Sequence, residues 1–293
     1  MLMHRNVLDV KPHPNACAMS TPSSRCYSLR AMTTQTSADW LTLHGVRLEV
    51  VERGRGRPML WLHGEEGLDP DAPFLDRLAQ HGRVIAPSHP GFGHSPDADS
   101  VDTVDDLSYL YLDLLAERDA RDAVVIGASL GGWIAAELAV KCTARLARLV
   151  LVAPLGIKVG DRETRDIPDI WALDPDEVVR LQYADPARAA VDYTKLSEDR
   201  VTVIVRNREA TALYGWDPYL HNPKLKQRLH RIDVPTLLLW GADDRFVTPG
   251  YYGTAYQALI PGARLETVAA AGHFPHLERP DAFAERVAAF LGT

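Results

Sequence analysis

The run Val124-Val125-Ile126-Gly127-Ala128-Ser129-Leu130-Gly131-Gly132 leaves a chain few ways to fold. A continuous apolar stretch of this kind is a strand buried on both faces of a parallel sheet, and the helical pattern of Leu130–Lys141 follows without a spacer. The turn between them must be tight, so small residues flank the serine, and a strained strand-to-helix turn pushes the hydroxyl outward. The helix then directs its first N–H groups toward developing negative charge. In this setting G-x-S-x-G points to a nucleophilic serine; a bare Gly-rich turn with a solvated hydroxyl is the alternative.

The rest of the chain from Trp40 alternates short β-rich runs with longer helical patterns, which predicts an α/β fold. Leu41–Val51 reads as a hairpin around His44-Gly45, and Pro58–Leu62 and Val84–Ala86 read as strands separated by a helix near Phe74–His81. Leu107, Leu110, Tyr111, Leu114 and Leu115 give Asp105–Arg118 a helical period. Ala123–Ile126, Leu149–Val152, Thr236–Trp240 and Arg264–Val268 read as strands buried on both faces, and Asp281–Leu291 as a closing amphipathic helix. Between Pro154 and Ile232 the β-rich runs largely stop. Helix starts are expected at Asp174-Pro175-Asp176-Glu177, Asp185-Pro186 and Asn222-Pro223, so this stretch reads as a helical insertion.

Composition removes several classes of function. A length of 293 residues with 46% hydrophobic content suits one large domain, or a core carrying an inserted unit. With 32 basic against 39 acidic residues and a net charge of −7, a phosphate-tracking nucleic-acid binder is not expected. No apolar run approaches the roughly 18 residues of a membrane helix. The three cysteines, Cys17, Cys26 and Cys142, make neither a disulfide scaffold nor a zinc spacing, and a soluble cytoplasmic protein is expected. The first 37 residues differ: they are rich in Ser, Thr and Pro, aperiodic, and carry Arg5, Lys11, Arg25 and Arg30 against Asp9 alone. Residues 1–37 are expected to be a disordered extension, with Met32 an alternative start; Asp9, Lys11, Pro12 and Pro14 leave no room for a secretory apolar core, and the scarcity of acids is the one feature shared with transit peptides.

A nucleophilic serine needs a base, and the base an orienting acid. Trp240-Gly241-Ala242-Asp243-Asp244-Arg245 and Ala271-Gly272-His273-Phe274-Pro275-His276 each follow an expected strand. Parallel sheets carry functional loops at that end, so the chain order Ser…Asp…His is available, with either Asp243 or Asp244 as the acid. Asp161 and Glu163 are more distant options. Leu60-Trp61-Leu62-His63-Gly64-Glu65-Glu66-Gly67 ends a strand in a loop whose backbone N–H can face the serine and act with the N–H of Leu130 as an oxyanion hole. His63 is read as a pin for that loop rather than a second base.

These motifs resemble the α/β-hydrolase superfamily from about Trp40 to the C-terminus. Pro87-Ser88-His89-Pro90-Gly91-Phe92-Gly93-His94-Ser95 is similar to the family's D-x-P-G-x-G-x-S loop, and His273-Phe274-Pro275-His276-Leu277-Glu278-Arg279-Pro280 to its G-H-x-x-H-x-E-x-P ending. The resemblance implies a mostly parallel eight-stranded sheet flanked by helices, with a helical cap inserted after the sixth strand. The division is then core at 38–154, cap at 155–231, and core at 232–293. It also implies Ser129 as nucleophile, His273 as base, Asp244 as acid, and the backbone N–H groups of Glu65 and Leu130 as oxyanion donors. Two departures stand out. Ser88 replaces the common Asp, which should change loop hydrogen bonding more than chemistry, and Glu65-Glu66 puts two acids beside a site that stabilises an anion.

Family members that open epoxides or remove halides carry Asp at the nucleophile position, so Ser129 disfavours those reactions. A serine hydrolase acting on an ester, or related carbonyl bond, of a modest, largely apolar molecule is expected, through an acyl-enzyme. Carbon–carbon bond hydrolysis of ring-cleavage products and a ligand receptor on the same fold are the alternatives. Trp133, Trp171, Tyr214, Trp216 and Phe274 are candidate substrate-binding residues; the cap aromatics, which also include Tyr183, Tyr193 and Tyr219, serve equally as cap core. The cap is expected to set substrate preference while the core alone holds the reactive groups. No metal and no cofactor are expected: His273, His276 and Glu278 have ligand-like spacing that the family ending explains, and the Gly-rich turn lacks the phosphate-loop lysine. A small-molecule substrate is the expected partner, without nucleic acid or membrane, and both monomer and homodimer stay open.

Overall fold

A computed structural model describes residues 39–189 and 191–292. The extension expected over 1–37, with Cys17 and Cys26, lies outside the described residues. Eight strands form one sheet in the order β1-β2-β4-β3-β5-β6-β7-β8. They are β1 (Asp39–Leu43), β2 (Val46–Arg53), β3 (Pro58–Leu62), β4 (Arg83–Pro87), β5 (Ala123–Ala128), β6 (Leu146–Val152), β7 (Thr236–Gly241) and β8 (Arg264–Val268). β2 runs antiparallel to β1 and β4, and every later pairing is parallel.

The period of two along the central strands divides the core into two layers. Leu60, Leu62, Val125, Leu238 and Trp240 face α2 (Val104–Glu117) and α3 (Leu130–Lys141). Met59, Trp61, Val124, Ile126, Leu237 and Leu239 face α1 (Pro73–Leu78) and the C-terminal helix α8 (Pro280–Leu291). Full burial of each such side chain contributes about 1.5–3 kcal/mol, and covering both faces is what lets parallel strands read as continuous apolar runs. β8 departs from that expectation: its Arg264 and Thr267 are exposed and only Val268 is buried, because it is the sheet's edge and has one neighbouring strand.

Helices, not strands, fill the chain between β6 and β7. α4 (Pro175–Gln182) starts as its sequence predicts, with the Asp174 side chain accepting from Asp176 N–H and Pro175 in the first turn. α5 (Glu198–Gly215) is capped by Ser197. The starts expected at Asp185-Pro186 and Asn222-Pro223 yield only single 3-10 turns, Pro186–Ala189 and Leu225–Gln227. Two short helices complete the core, α6 (Thr254–Leu259) and α7 (Pro275–Glu278). No helix among the described residues is long and apolar enough to cross a membrane.

Candidate active site

Ser129 sits between the end of β5 and the start of α3 at φ 50° and ψ −113°, a strained conformation for a residue with a Cβ. The turn closes only because of its glycines: a Cβ on Gly127 would stand 2.2 Å from the Gly131 carbonyl oxygen, and one on Gly131 would stand 2.1 Å from that of Leu62. Backbone bonds clasp the turn. Ser129 N–H donates to Val152 O at 2.9 Å, and Ser129 O accepts from both Leu155 N–H and Trp133 N–H at 3.1 Å.

Ser129, His273 and Asp244 converge at the carboxyl edge of the sheet, all buried. His273 Nε2 is 2.7 Å from Ser129 Oγ, and His273 Nδ1 is 2.8 Å from Asp244 Oδ2. The second carboxylate oxygen of Asp244 accepts from Phe246 N–H and Val247 N–H, each at 2.9 Å. Asp243 is exposed, and its N–H is tied to Ala271 O. Asp161 lies in an exposed loop, accepting from Glu163 and Thr164. Burial opposes a charged His273, but the charge and hydrogen bond of Asp244, with the charge of Glu66, outweigh it and raise the pKa. A hydroxyl facing an imidazole whose other nitrogen is held by a carboxylate can pass its proton to the ring as it attacks an electrophile.

The loop after β3 reaches the serine from the other side: a Cβ on Gly64 would stand 2.9 Å from Ser129 Cβ. His63 pins this loop. Its Nδ1–H donates to Gly64 O at 2.7 Å, its Nε2 accepts from His89 N–H at 3.0 Å, and the two rings stack at 3.7 Å. Burial lowers the His63 pKa to about 4, so the ring is neutral. His89 Nε2–H donates back to His63 O at 3.0 Å, and its Nδ1 pairs with the Tyr111 hydroxyl. Ser88, which stands in for the family's Asp, donates to Phe92 O at 3.0 Å, while its carbonyl accepts from the Ser95 hydroxyl at 2.8 Å.

Both acids of this loop point inward. Glu66 accepts from Gly64 N–H at 3.1 Å and pairs with His276 Nε2 at 3.3 Å. Burial opposes its charge, but the hydrogen bond and charge of His276 prevail and lower its pKa. Glu65 Oε1 accepts from Gln182 Nε2 at 2.8 Å and lies 3.9 Å from His273 Nε2. Burial raises its pKa.

Two contributors to this arrangement carry no motif. Gln182, the last residue of α4, accepts His273 N–H on its carbonyl at 2.6 Å as well as binding Glu65. Asn207 of α5 donates to Glu66 O and accepts from Gly93 N–H, both at 2.9 Å. Glu278 accepts from Gly272, Ala184 and Asp185 N–H and so joins the His273 loop to the end of α4. Ser129, His273 and Asp244 all lie outside residues 155–231, but residues of that stretch brace three of the loops around them.

The five candidate substrate residues separate. Phe274 is buried edge-on to His273 at 4.9 Å and beside Tyr183 at 5.3 Å. Trp133 is buried in α3 against Gly156, with its Nε1 unpartnered among the described residues. Tyr214 is an anchor: its hydroxyl donates to Pro90 O at 3.2 Å and Val101 O at 3.1 Å. Trp171 and Trp216 pack edge to face at 5.3 Å, and Trp216 is 60% exposed. Trp216 lines a cavity of about 510 Å³ with Ile157, Arg162, Tyr219 and Tyr252 rather than with Ser129 or His273. Among the described residues no group of three His, Cys, Asp or Glu side chains is set to hold a metal. His273, His276 and Glu278 each bond to a different partner.

A model of the "Alpha/beta hydrolase family" matches residues 41–286. The chain is 28% identical to the pimeloyl-[acyl-carrier protein] methyl ester esterase of Nitrosomonas europaea, over 80% of this chain and 96% of that one. It is 26% identical to the 2-hydroxymuconate semialdehyde hydrolase of Pseudomonas putida, over 84% and 91% respectively. Its fold is similar to a serine hydrolase of the polyaromatic-hydrocarbon-degrading bacterium Cycloclasticus zankles, with TM-score 0.71 at 19% identity, covering 88% of this chain and 98% of that one.

Proposed function

The chain belongs to the alpha/beta hydrolase family, and we propose that within it the protein is a serine hydrolase of an ester, or a closely related carbonyl compound, of small to medium size and largely apolar character. One observation carries the reading: the buried chain of contacts from Ser129 Oγ to His273 Nε2 at 2.7 Å and from His273 Nδ1 to Asp244 at 2.8 Å. Ser129 attacks the carbonyl carbon and His273 takes the hydroxyl proton on Nε2. Asp244, with its other oxygen fixed by two backbone N–H groups, keeps the Nδ1–H tautomer and stabilises the imidazolium. Negative charge on the former carbonyl oxygen is met by the N–H groups of Leu130 and Glu65, each donor worth about 10²–10³ in rate. His273 then protonates the leaving alcohol, and water activated by the same ring releases the acyl group from Ser129.

Hydrolysis of a carbon–carbon bond in a ring-cleavage product is the second reading, favoured by the likeness to the Pseudomonas putida semialdehyde hydrolase; it uses the same residues. Steady-state assays on aryl esters of graded acyl length, beside a ring-cleavage dienoate, distinguish the two. Multiple turnovers on esters that vanish in Ser129→Ala support the first, and turnover confined to the dienoate the second. One-to-one modification without turnover would make the protein a receptor instead. A cytoplasmic setting and a small-molecule partner, with no cofactor, complete the proposal.

A further inference from the structure

Glu65 and Glu66 are adjacent acids with unlike surroundings. Glu66 is placed to carry charge, with His276 Nε2 at 3.3 Å and Gly64 N–H at 3.1 Å on one oxygen. Glu65 is met by a neutral carboxamide, Gln182 Nε2, on Oε1. Its Oε2, like that of Glu66, is sealed from solvent and has no hydrogen-bond partner among the described residues, so the two acids differ in what meets Oε1: a neutral amide at Glu65, an imidazole and a backbone N–H at Glu66. A buried carboxylate oxygen without a donor is costly, whereas a buried O–H waiting for an acceptor is a usable group. When two carboxyl groups share a site, their surroundings decide which keeps the proton. Here that is Glu65. Its position matters because Oε1 lies 3.9 Å from His273 Nε2, the atom that also meets Ser129 Oγ at 2.7 Å.

We propose that Glu65 is held as a neutral carboxylic acid and that its Oε2–H donates a hydrogen bond to an oxygen of the tetrahedral intermediate formed at Ser129. The inference rests on the serine hydrolase reading. Glu65 keeps its proton throughout: the hydrogen bond strengthens as the intermediate gains charge and relaxes when it collapses. An ionised Glu65 would place a second negative charge beside the developing one, so loss of this proton turns a donor into an opponent. The acid pair that looks misplaced beside an anion site then has a division of labour, in which Glu66 braces the loop as an ion and Glu65 works as an uncharged donor.

The groups facing Glu65 make a pH profile readable. Glu66 and His63 belong to its own loop, and their lowered values leave Glu66 charged and His63 neutral at neutral pH. Tyr183 at the end of α4 and Tyr219 are raised by burial and stay neutral. His276 is paired with Glu66, and His273 with Asp244. Glu65 and His273 are left as an interacting pair that titrates in two steps. Activity needs the imidazole neutral and Glu65 protonated, so kcat/KM should rise with pH as His273 loses its proton and fall as Glu65 loses its own.

The test measures kcat/KM of the full chain on a short neutral aryl ester from mildly acidic to alkaline pH, with melts confirming that each variant is folded. Ser129→Ala is run beside it. If that variant still turns over the ester, the serine hydrolase reading fails; if it is inactive, the Glu65 variants judge the inference alone. Glu65→Gln retains an N–H donor and cannot ionise, so it should lose the alkaline fall and be faster than Glu65→Ala. Glu65→Ala should lose about 10²–10³-fold at the wild-type optimum. An alkaline fall that persists unchanged in Glu65→Gln, or a Glu65→Ala as fast as wild type, overturns the proposal. So does a wild-type preference for cationic over neutral esters that Glu65→Gln abolishes, since that would require an ionised Glu65.

Discussion

The carbonyl of Gln182 accepts the backbone N–H of His273 at 2.6 Å, so a residue inserted between β6 and β7 fixes the loop that carries the imidazole. Glu278 reinforces the joint by accepting from Gly272 N–H on one side and from Ala184 and Asp185 N–H on the other. Glu278→Ala should leave these three donors without their carboxylate. Hydrogen bonds to charged groups are each worth about 1.5–3 kcal/mol, and partial rehydration offsets some of the loss. The expected cost is about 3 kcal/mol in urea unfolding, with activity reduced even at temperatures where the variant is folded. A melt indistinguishable from wild type would show that the loop holds itself.

The neighbouring acids Asp243 and Asp244 should behave differently. Asp244 is buried and hydrogen-bonded on both oxygens, while Asp243 faces solvent. Asp244→Asn is expected to lower kcat by about 10⁴ through loss of the correct tautomer. Asp243→Asn should stay within about tenfold, as exposed polar changes usually perturb their surroundings little. Equal losses in steady-state assays would overturn the assignment.

Residues inserted after β6 fall into two groups by what they touch. Asn207→Ala removes a donor to Glu66 O and an acceptor for Gly93 N–H, leaving both buried groups unpaired. A loss of about 1–3 kcal/mol is expected, together with slower labelling of Ser129 by a small fluorophosphonate. Trp216→Ala, at an exposed ring, should change labelling little. A Trp216→Ala variant that is folded yet unlabelled would show that the outer aromatic layer organises the site.

Stability should fall on the acid side for an identifiable reason. His63 titrates near its ordinary value when unfolded, and burial lowers it to about 4 in the folded chain. Between those values the unfolded chain takes up a proton that the folded one refuses. Its contribution is present above the unfolded value and is lost as pH falls toward the folded one, by up to about 3 kcal/mol. His273 acts in the opposite sense because its folded value is raised. Urea titrations from neutral to mildly acidic pH should show a falling midpoint, with a shallower fall in His63→Gln. An identical slope in that variant would assign the effect elsewhere.

What was legible in the sequence depended on how each residue signals its environment. β3 at Pro58–Leu62 and α3 at Leu130–Lys141 match their expected bounds because apolar runs and the Gly-flanked serine admit one arrangement. α5 was not placed individually. Its buried face, Val203, Asn207, Ala210, Thr211 and Tyr214, has helical spacing but consists largely of small and polar residues, so hydropathy hides the period. β8 has its expected bounds, Arg264–Val268, but not its expected burial, since nothing in that run announces an edge. Gln182 and Asn207 were invisible for a different reason: a buried amide is chosen by partners far away in the chain, and no local pattern records them. In the sequence only the family pattern separates Asp244 from Asp243, whereas in the structure it is the Asp244 carboxylate that lies 2.8 Å from His273 Nδ1.

The clasp on Ser129 makes the turn independent of its own hydroxyl. Its N–H binds Val152 and its carbonyl binds Leu155 and Trp133, so removing Oγ leaves the conformation anchored at both ends. Alanine carries the same Cβ and inherits the same torsional strain, neither more nor less. Ser129→Ala should therefore keep the shape of the working enzyme, able to receive its natural substrate and unable to consume it. Incubated with an extract of small metabolites and then washed, it would act as bait, and mass spectrometry of what it retains could name a substrate that no panel of synthetic esters would have included.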